Sequence, residues 1–182
     1  MDQGSAYADP RDLSGPIAAG KNTIADLLAE HCVITGRTVV IADVDDVVAM
    51  VAGPGAGAVG LWLAAHQAHG ALVGQWMNSA ADVVISVGPI YTKAECDALF
   101  GQPPRSAQPI RVLIDAPVTA AWGRVKDDPR RGASRDRDFH ESAHARYRSL
   151  LPDIPTDLAF DSGELRAEEI LVQILLAAGM AS

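Results

Sequence analysis

Apolar, β-branched runs alternate with helical periodicities along most of this chain. The alternation predicts a mostly parallel sheet with helices on both faces. Residues 38–43 (Thr-Val-Val-Ile-Ala-Asp) read as a strand ending at carboxylates, followed by strands at 82–87, 110–115 and a short one at 157–161. Ile24, Leu27, Leu28 and His31 recur at i, i+3, i+4 and i+7, the spacing of one helical face. A helix over 61–80 carries a stripe of Leu61, Ala65, Ala68, Leu72 and Trp76, with Trp76 expected in the core. Its His66 and His69, sharing a face with Trp62 and Val73, read as a polar helix face. A last helix over 166–178 buries Ile170, Ile174 and Leu175.

The stretch ahead of the Ile24 helix carries the most chemistry. Gly15-Pro16-Ile17-Ala18-Ala19-Gly20-Lys21-Asn22-Thr23 reads as a phosphate-binding loop opening into a helix. Its two glycines let backbone N–H groups curl around an anion. Lys21 supplies an ammonium for the β- and γ-phosphates, and the helix N-terminus adds its dipole. Such loops usually place Ser or Thr directly after the lysine to hold Mg²⁺; here Asn22 stands there and Thr23 follows. Either side chain can offer an oxygen to the metal. A buried strand normally precedes this loop, yet residues 6–14 (Ala-Tyr-Ala-Asp-Pro-Arg-Asp-Leu-Ser) carry charges and a proline where aliphatics belong. Either a short, poor first strand forms here, or the segment is altered and nucleotide binding is disabled.

Composition narrows the field. At 182 residues the chain is most simply one domain. A net charge of −8 and a pI near 4.9 argue against a nucleic-acid surface. Cys32 and Cys96 read as free thiols of a reducing compartment. With no signal-peptide pattern and no apolar run long enough for a bilayer, a cytoplasmic enzyme is expected, monomeric or homodimeric.

Ligands in open α/β sheets bind at the carboxyl ends of strands. Asp43 and Asp45, in Asp43-Val44-Asp45-Asp46, should therefore face the crevice of the phosphate loop. One can orient or deprotonate an acceptor hydroxyl, the other can serve Mg²⁺; Asp46 is expected to cap the next helix. Residues 127–138 are dense in arginine and turn residues and read as a mobile lid, with Arg131 and Arg135, and Arg124 just before them, reaching phosphate.

In this order of parts the chain resembles the small P-loop kinases: shikimate kinase, gluconate kinase, adenylylsulfate kinase and chloramphenicol phosphotransferase. The Gly-Lys-x-Thr spelling is similar to that of adenylate and cytidylate kinase loops. The resemblance implies a single three-layer P-loop kinase domain over 1–182, with a lid near 126–140 and a substrate-side helical region near 47–80. It implies ATP as donor, Mg²⁺ as cofactor and a small-molecule acceptor. Nucleotide falls to Gly15, Ala18, Ala19, Gly20, Lys21, Asn22, Thr23 and Arg124, and metal to Thr23, Asn22 and Asp43. Acceptor falls to Asp43, Asp45, Trp62, His66 and Tyr91. Lys21, Asp45, Arg131 and Arg135 carry the transfer, with Asp45 as the base that chloramphenicol phosphotransferase suggests. Ser86 stands where many relatives have a metal-side acid, and Asp115 is a further acidic candidate.

Three rivals remain. A nucleoside monophosphate kinase needs basic residues around its acceptor, yet Lys93 is the sole Lys or Arg in 38–104. A nucleotide-binding protein without catalysis would suit the unusual first strand and Asn22. A zinc peptidase would use His140-Glu141-Ser142-Ala143-His144, with Glu164 as a third ligand. The charges at Arg137, Asp138 and Arg146 around that motif argue against the zinc reading. Gly-rich residues 53–60 read as a loop or the hinge of a substrate-side flap.

Overall fold

The computed structural model describes residues 9–53, 59–100 and 109–180. Its strands are β1 (Asp9–Ser14), β2 (Val39–Asp43), β3 (Val83–Gly88), β4 (Ile110–Asp115) and β5 (Leu158–Asp161). They form one sheet in the order β2-β3-β1-β4-β5, every pairing parallel. The helices are α1 (Lys21–Ile34), α2 (Val44–Val48), α3 (Val59–Met77), α4 (Lys93–Phe100), α5 (Val118–Val125), α6 (Arg137–Leu150) and α7 (Ala167–Ala177). A 3₁₀ segment, Pro129–Arg135, precedes α6. No helix among the described residues is long and apolar enough to cross a membrane. Most of the Gly-rich stretch, residues 54–58, lies outside the described residues, and with it the hinge reading.

Period-2 alternation divides the sheet between two cores. Val83, Ile85, Val87, Leu13, Val112 and Ile114 pack with α1 and α7. On the opposite face Val84 meets Val73 and Met77 of α3, while Leu113 meets Cys96 of α4 and Tyr147 of α6. Cys32 and Cys96 are buried free thiols, as expected.

The atypical N-terminal segment does form the central strand. Its charges find partners both within the strand and remote in sequence. Arg11, 1 % exposed, donates to both carboxylate oxygens of Asp9 (2.5 and 2.6 Å) and reaches Met180 Sδ at 3.5 Å. Asp12 points to the other face, beside Ser86 of β3 and Arg111 of β4 in register. Its Oδ2 lacks a hydrogen-bond partner, and burial pushes its pKa up to about 7 against the pull of Arg111. A buried charge persists only when opposite charges stand close to it.

The orientation of α3 corrects the sequence stripe. Ala65, His66, His69, Val73 and Met77 are buried, whereas Leu61, Leu72 and Trp76 are 38–41 % exposed. Trp76 is therefore not core, and the histidines are not a solvated face. The rotation follows from β3, which presents Ser86 Oγ to His69 Nε2 at 3.1 Å. Burial holds the His69 pKa down near 4, which keeps the ring neutral inside the protein.

Candidate functional site

β1 runs into the Gly15–Gly20 loop, and the loop into α1. The turn can be made only by glycine at its start: a Cβ on Gly15 would stand 2.0 Å from the Ile114 carbonyl oxygen. Further on, Ala18 has φ 58° and Gly20 φ 100°, so the chain is left-handed at two of three consecutive residues. A non-glycine residue there marks stored strain of the sort found at functional sites.

What holds this shape is a set of side chains on the loop's carbonyls. Lys21 Nζ donates to Gly15 O (3.0 Å) and Pro16 O (2.8 Å). His144 Nε2 donates to Ile17 O (2.9 Å), Arg124 Nη1 to Ala18 O (3.0 Å) and Ser162 Oγ to Ala19 O (2.6 Å). Each carbonyl from Gly15 to Ala19 is thus engaged by a side chain. The first N–H groups of α1 have no intrahelical acceptor, and together with the dipole they can receive an anion. Desolvation lowers the Lys21 pKa to about 8, against the opposing pull of Asp45 and then Asp43.

At the end of β2, Asp43 caps α2: its Oδ1 accepts from the Asp45 N–H (2.9 Å). The cap is Asp43, where the sequence suggested Asp46, because the helix begins immediately after the strand. Asp43 Oδ2 accepts from Asn22 Nδ2 at 2.6 Å, and so the Asn22 carbonyl oxygen is turned elsewhere. Asp45 is pushed toward protonation, first by desolvation and then by Asp43.

A cavity of about 610 Å³ begins at the loop and ends at an aromatic wall. Ile17, Ala18, Gly20, Lys21, Asn22 and Thr23 line one end. Asp45, Trp62, Pro89, Tyr91, Thr92 and Glu95 line the other, and Arg131, Ser134, Phe139, Ser142 and Arg146 complete it from the lid and α6. Trp62 and Tyr91 meet edge to face, 6.4 Å between centroids. Burial raises the Tyr91 hydroxyl pKa, keeping the phenol neutral. A second hollow of about 500 Å³ shares Gly20, Thr23 and Arg124 and continues along Ser162–Ala167.

Of the residues marked from sequence, the cavity brings together Ala18, Gly20, Lys21, Asn22, Thr23, Asp45, Trp62, Tyr91, Arg124 and Arg131. Gly15 and Ala19 are buried behind it. Asp43 lies off its wall, bonded to Asn22. His66 is 1 % exposed, with ring nitrogens on the Trp62 (2.8 Å) and Pro89 (2.9 Å) carbonyls. It braces the aromatic wall from behind and does not line the cavity. Arg135 is exposed and away from the wall. Asp115 is bound bidentately by Arg148 (2.7 and 2.9 Å), and Ser86 is occupied by His69.

Sequence reasoning missed Glu95, Phe139, Ser142 and the Ser162 turn, and took Arg146 only for a flanking charge. Glu95 had a signal: Thr92-x-x-Glu95 is a capping-box spelling, and the Glu95 N–H does donate to Thr92 Oγ1 (3.1 Å) while Oε2 accepts from the Tyr91 N–H (2.7 Å). His144 is committed to Ile17, Glu141 pairs with Arg137 at 2.8 Å, and among the described residues no cluster of three His, Cys, Asp or Glu suits a metal ion.

No family model matches this sequence, and no curated protein matches it. Solved structures do. A sugar kinase from Janibacter sp. HTCC2649 superposes with TM-score 0.66 at 18 % identity, over 96 % of each chain. Shikimate kinase from Bacteroides thetaiotaomicron gives 0.68 at 13 % identity, over 94 % of this chain and 98 % of that one. The Deinococcus radiodurans tunicamycin resistance protein gives 0.64 at 16 % identity, over 96 % and 97 %. The fold is that of the P-loop small-molecule kinases, the shikimate-kinase-like α/β arrangement, and kinases stand among its structural neighbours.

Proposed function

We propose that the protein is an ATP-dependent kinase that phosphorylates a hydroxyl of a small molecule. The observation carrying this reading is the single cavity that joins the phosphate loop to Asp45 and the Trp62–Tyr91 wall. Donor and acceptor can meet in it. The second hollow, beyond Gly20 and Arg124, suits the nucleoside end of the donor.

The loop N–H groups and Lys21 hold the triphosphate. The donor set for Mg²⁺ is Asn22 Oδ1, the Thr23 hydroxyl and, through water, Asp43, all hard oxygens. Those oxygens would hold Mg²⁺, which would supply charge neutralisation for the phosphates. Asp45 takes the acceptor's proton as its oxygen bonds the γ-phosphorus, and the bond to the β–γ bridging oxygen breaks to release ADP. Its raised pKa brings it nearer the strength of a useful base. Arg131, on the 126–140 lid, neutralises charge on the transferring group; Arg135, exposed in this conformation, can join only if the lid moves. Lys93, the base nearest the acceptor side in sequence, is exposed and paired with Asp97, so an anionic group on the acceptor would be met by Arg146 of α6, which lines the cavity.

Calorimetric titration of Mg-ATP into the parent and a Lys21→Ala variant tests the reading. Binding in the parent and its loss in the variant are expected. No binding to the parent would overturn it.

A further inference from the structure

The histidine pair of α6 has no place in the kinase reading above, yet both rings are buried: His140 is 0 % exposed and His144 2 %. They stack with centroids 4.7 Å apart and planes 29° from parallel, and Trp122 of α5 meets His140 edge-on at 5.4 Å. The far end of this stack is the bond from His144 Nε2–H to the Ile17 carbonyl. A carbonyl can only accept, so this geometry requires the proton on Nε2.

The next residue in the loop is Ala18, the one described non-glycine residue with positive φ. An L-residue in that conformation costs about 1–2 kcal/mol, so something must hold it. In a trans peptide the carbonyl of one residue and the N–H of the next point in opposite directions. Fixing Ile17 O on His144 therefore aims the Ala18 N–H away from the His144 ring, and Ala18 lines the cavity. The other loop carbonyls are held by Lys21 at the start of α1, by α5 or by the turn after β5. Only the His144 bond comes from the helix that continues the lid, since Asp136 ends the 3₁₀ segment and caps α6 through the Phe139 N–H at 2.8 Å.

We propose that His144 is a positioning residue for the phosphate loop: it holds the Ile17–Ala18 peptide so that the Ala18 N–H faces the nucleotide, and it ties the lid helix to that loop. That the held N–H faces a nucleotide rests on the kinase reading; that His144 holds the Ile17–Ala18 peptide and links α6 to the loop is a property of the free protein. His144 touches no reacting atom. Its effect passes through one peptide plane.

The test uses the full chain as parent, His144→Phe and His144→Gln, since glutamine can return an N–H near the Nε2 position. In the free proteins, the Ala18 Cα and Cβ chemical shifts report its φ. Parent and His144→Gln should keep the left-handed signature, and His144→Phe should lose it. In Mg-ATP titrations His144→Phe should weaken binding at least tenfold, with His144→Gln within threefold of the parent and both variants fully folded. An unchanged Ala18 signature in His144→Phe, or equal losses in both variants, overturns the proposal. If the parent binds no Mg-ATP, the kinase reading falls while the Ala18 shifts still decide whether His144 holds the loop. Should His144→Phe fail to fold, long-range ¹H–¹⁵N spectra of the parent decide, for a neutral ring with no proton on Nε2 would rule the bond out.

Discussion

Asn22 donates its side-chain amide to Asp43 across 2.6 Å, joining the helix after the phosphate loop to the end of β2. On the proposed kinase reading, the pair lets Asn22 stand where such loops usually carry Ser or Thr. The amide nitrogen is spent on the carboxylate, and the amide oxygen is left for a cation. Asp43→Ala removes both this partner and the α2 cap, which should cost about 1 kcal/mol and raise the Mg²⁺ concentration for half-maximal nucleotide binding at least tenfold. Asp43→Asn should keep most of the stability and show the same Mg²⁺ defect. Thermal unfolding and Mg²⁺ titrations at fixed ATP separate the two.

Lys21 is held in the fold at a cost. Its folded pKa, about 8, lies below the ordinary 10.5, so the unfolded chain binds its proton more tightly. Stability from this group is lowest below pH 8 and is recovered as pH rises toward 10.5, a difference on the order of 3 kcal/mol. Lys21→Met at pH 7 should therefore unfold at no lower temperature than the parent while losing Mg-ATP binding. In the parent, affinity for Mg-ATP should fall as pH climbs from 7 through 8 to 9, as the free protein loses the Lys21 charge. Calorimetry across that range checks the direction.

Asp45 stands between the ammonium and the aromatic wall. If it receives the acceptor proton, Asp45→Asn should lower turnover at least a hundredfold, with Mg-ATP affinity within threefold of the parent. Because its carboxyl is shifted toward protonation, the parent's rate should fall as pH drops and Asp45 is neutralised. Comparable losses of rate and nucleotide affinity would point instead to a role in holding Lys21.

Asp12 makes a prediction about stability alone. Its folded pKa of about 7 exceeds the ordinary 3.8, so between those values the native state binds the proton the unfolded state has released. Stability must then fall as pH rises through this window, by on the order of 3 kcal/mol between pH 5 and 8. Asp12→Asn should match the parent near pH 5 and exceed it at pH 8, as read from urea unfolding at each pH.

Read alone, the sequence located the Gly15–Gly20 turn into α1, the parallel α/β alternation and the approach of Asp45 to that turn. Each rests on local information. Glycine spacing permits the turn, the 3.6-residue period marks α1, and parallel strands carry their carboxyl ends to one edge of the sheet. The tertiary structure alone decided where buried polar groups belong. Nothing near Arg11 and Asp12 in sequence shows that Met180 and Arg111 will stand beside them in the central strand. Helical periodicity offered two candidate faces for α3, and the Ser86 hydroxyl on β3 selected the one with His69. His140 and His144 share a face by spacing, but only the arrival of Ile17, more than a hundred residues earlier, turns that face into a support for the loop. A side chain's periodicity shows which neighbours on its own element share its face; the partners that repay its desolvation come from the rest of the chain.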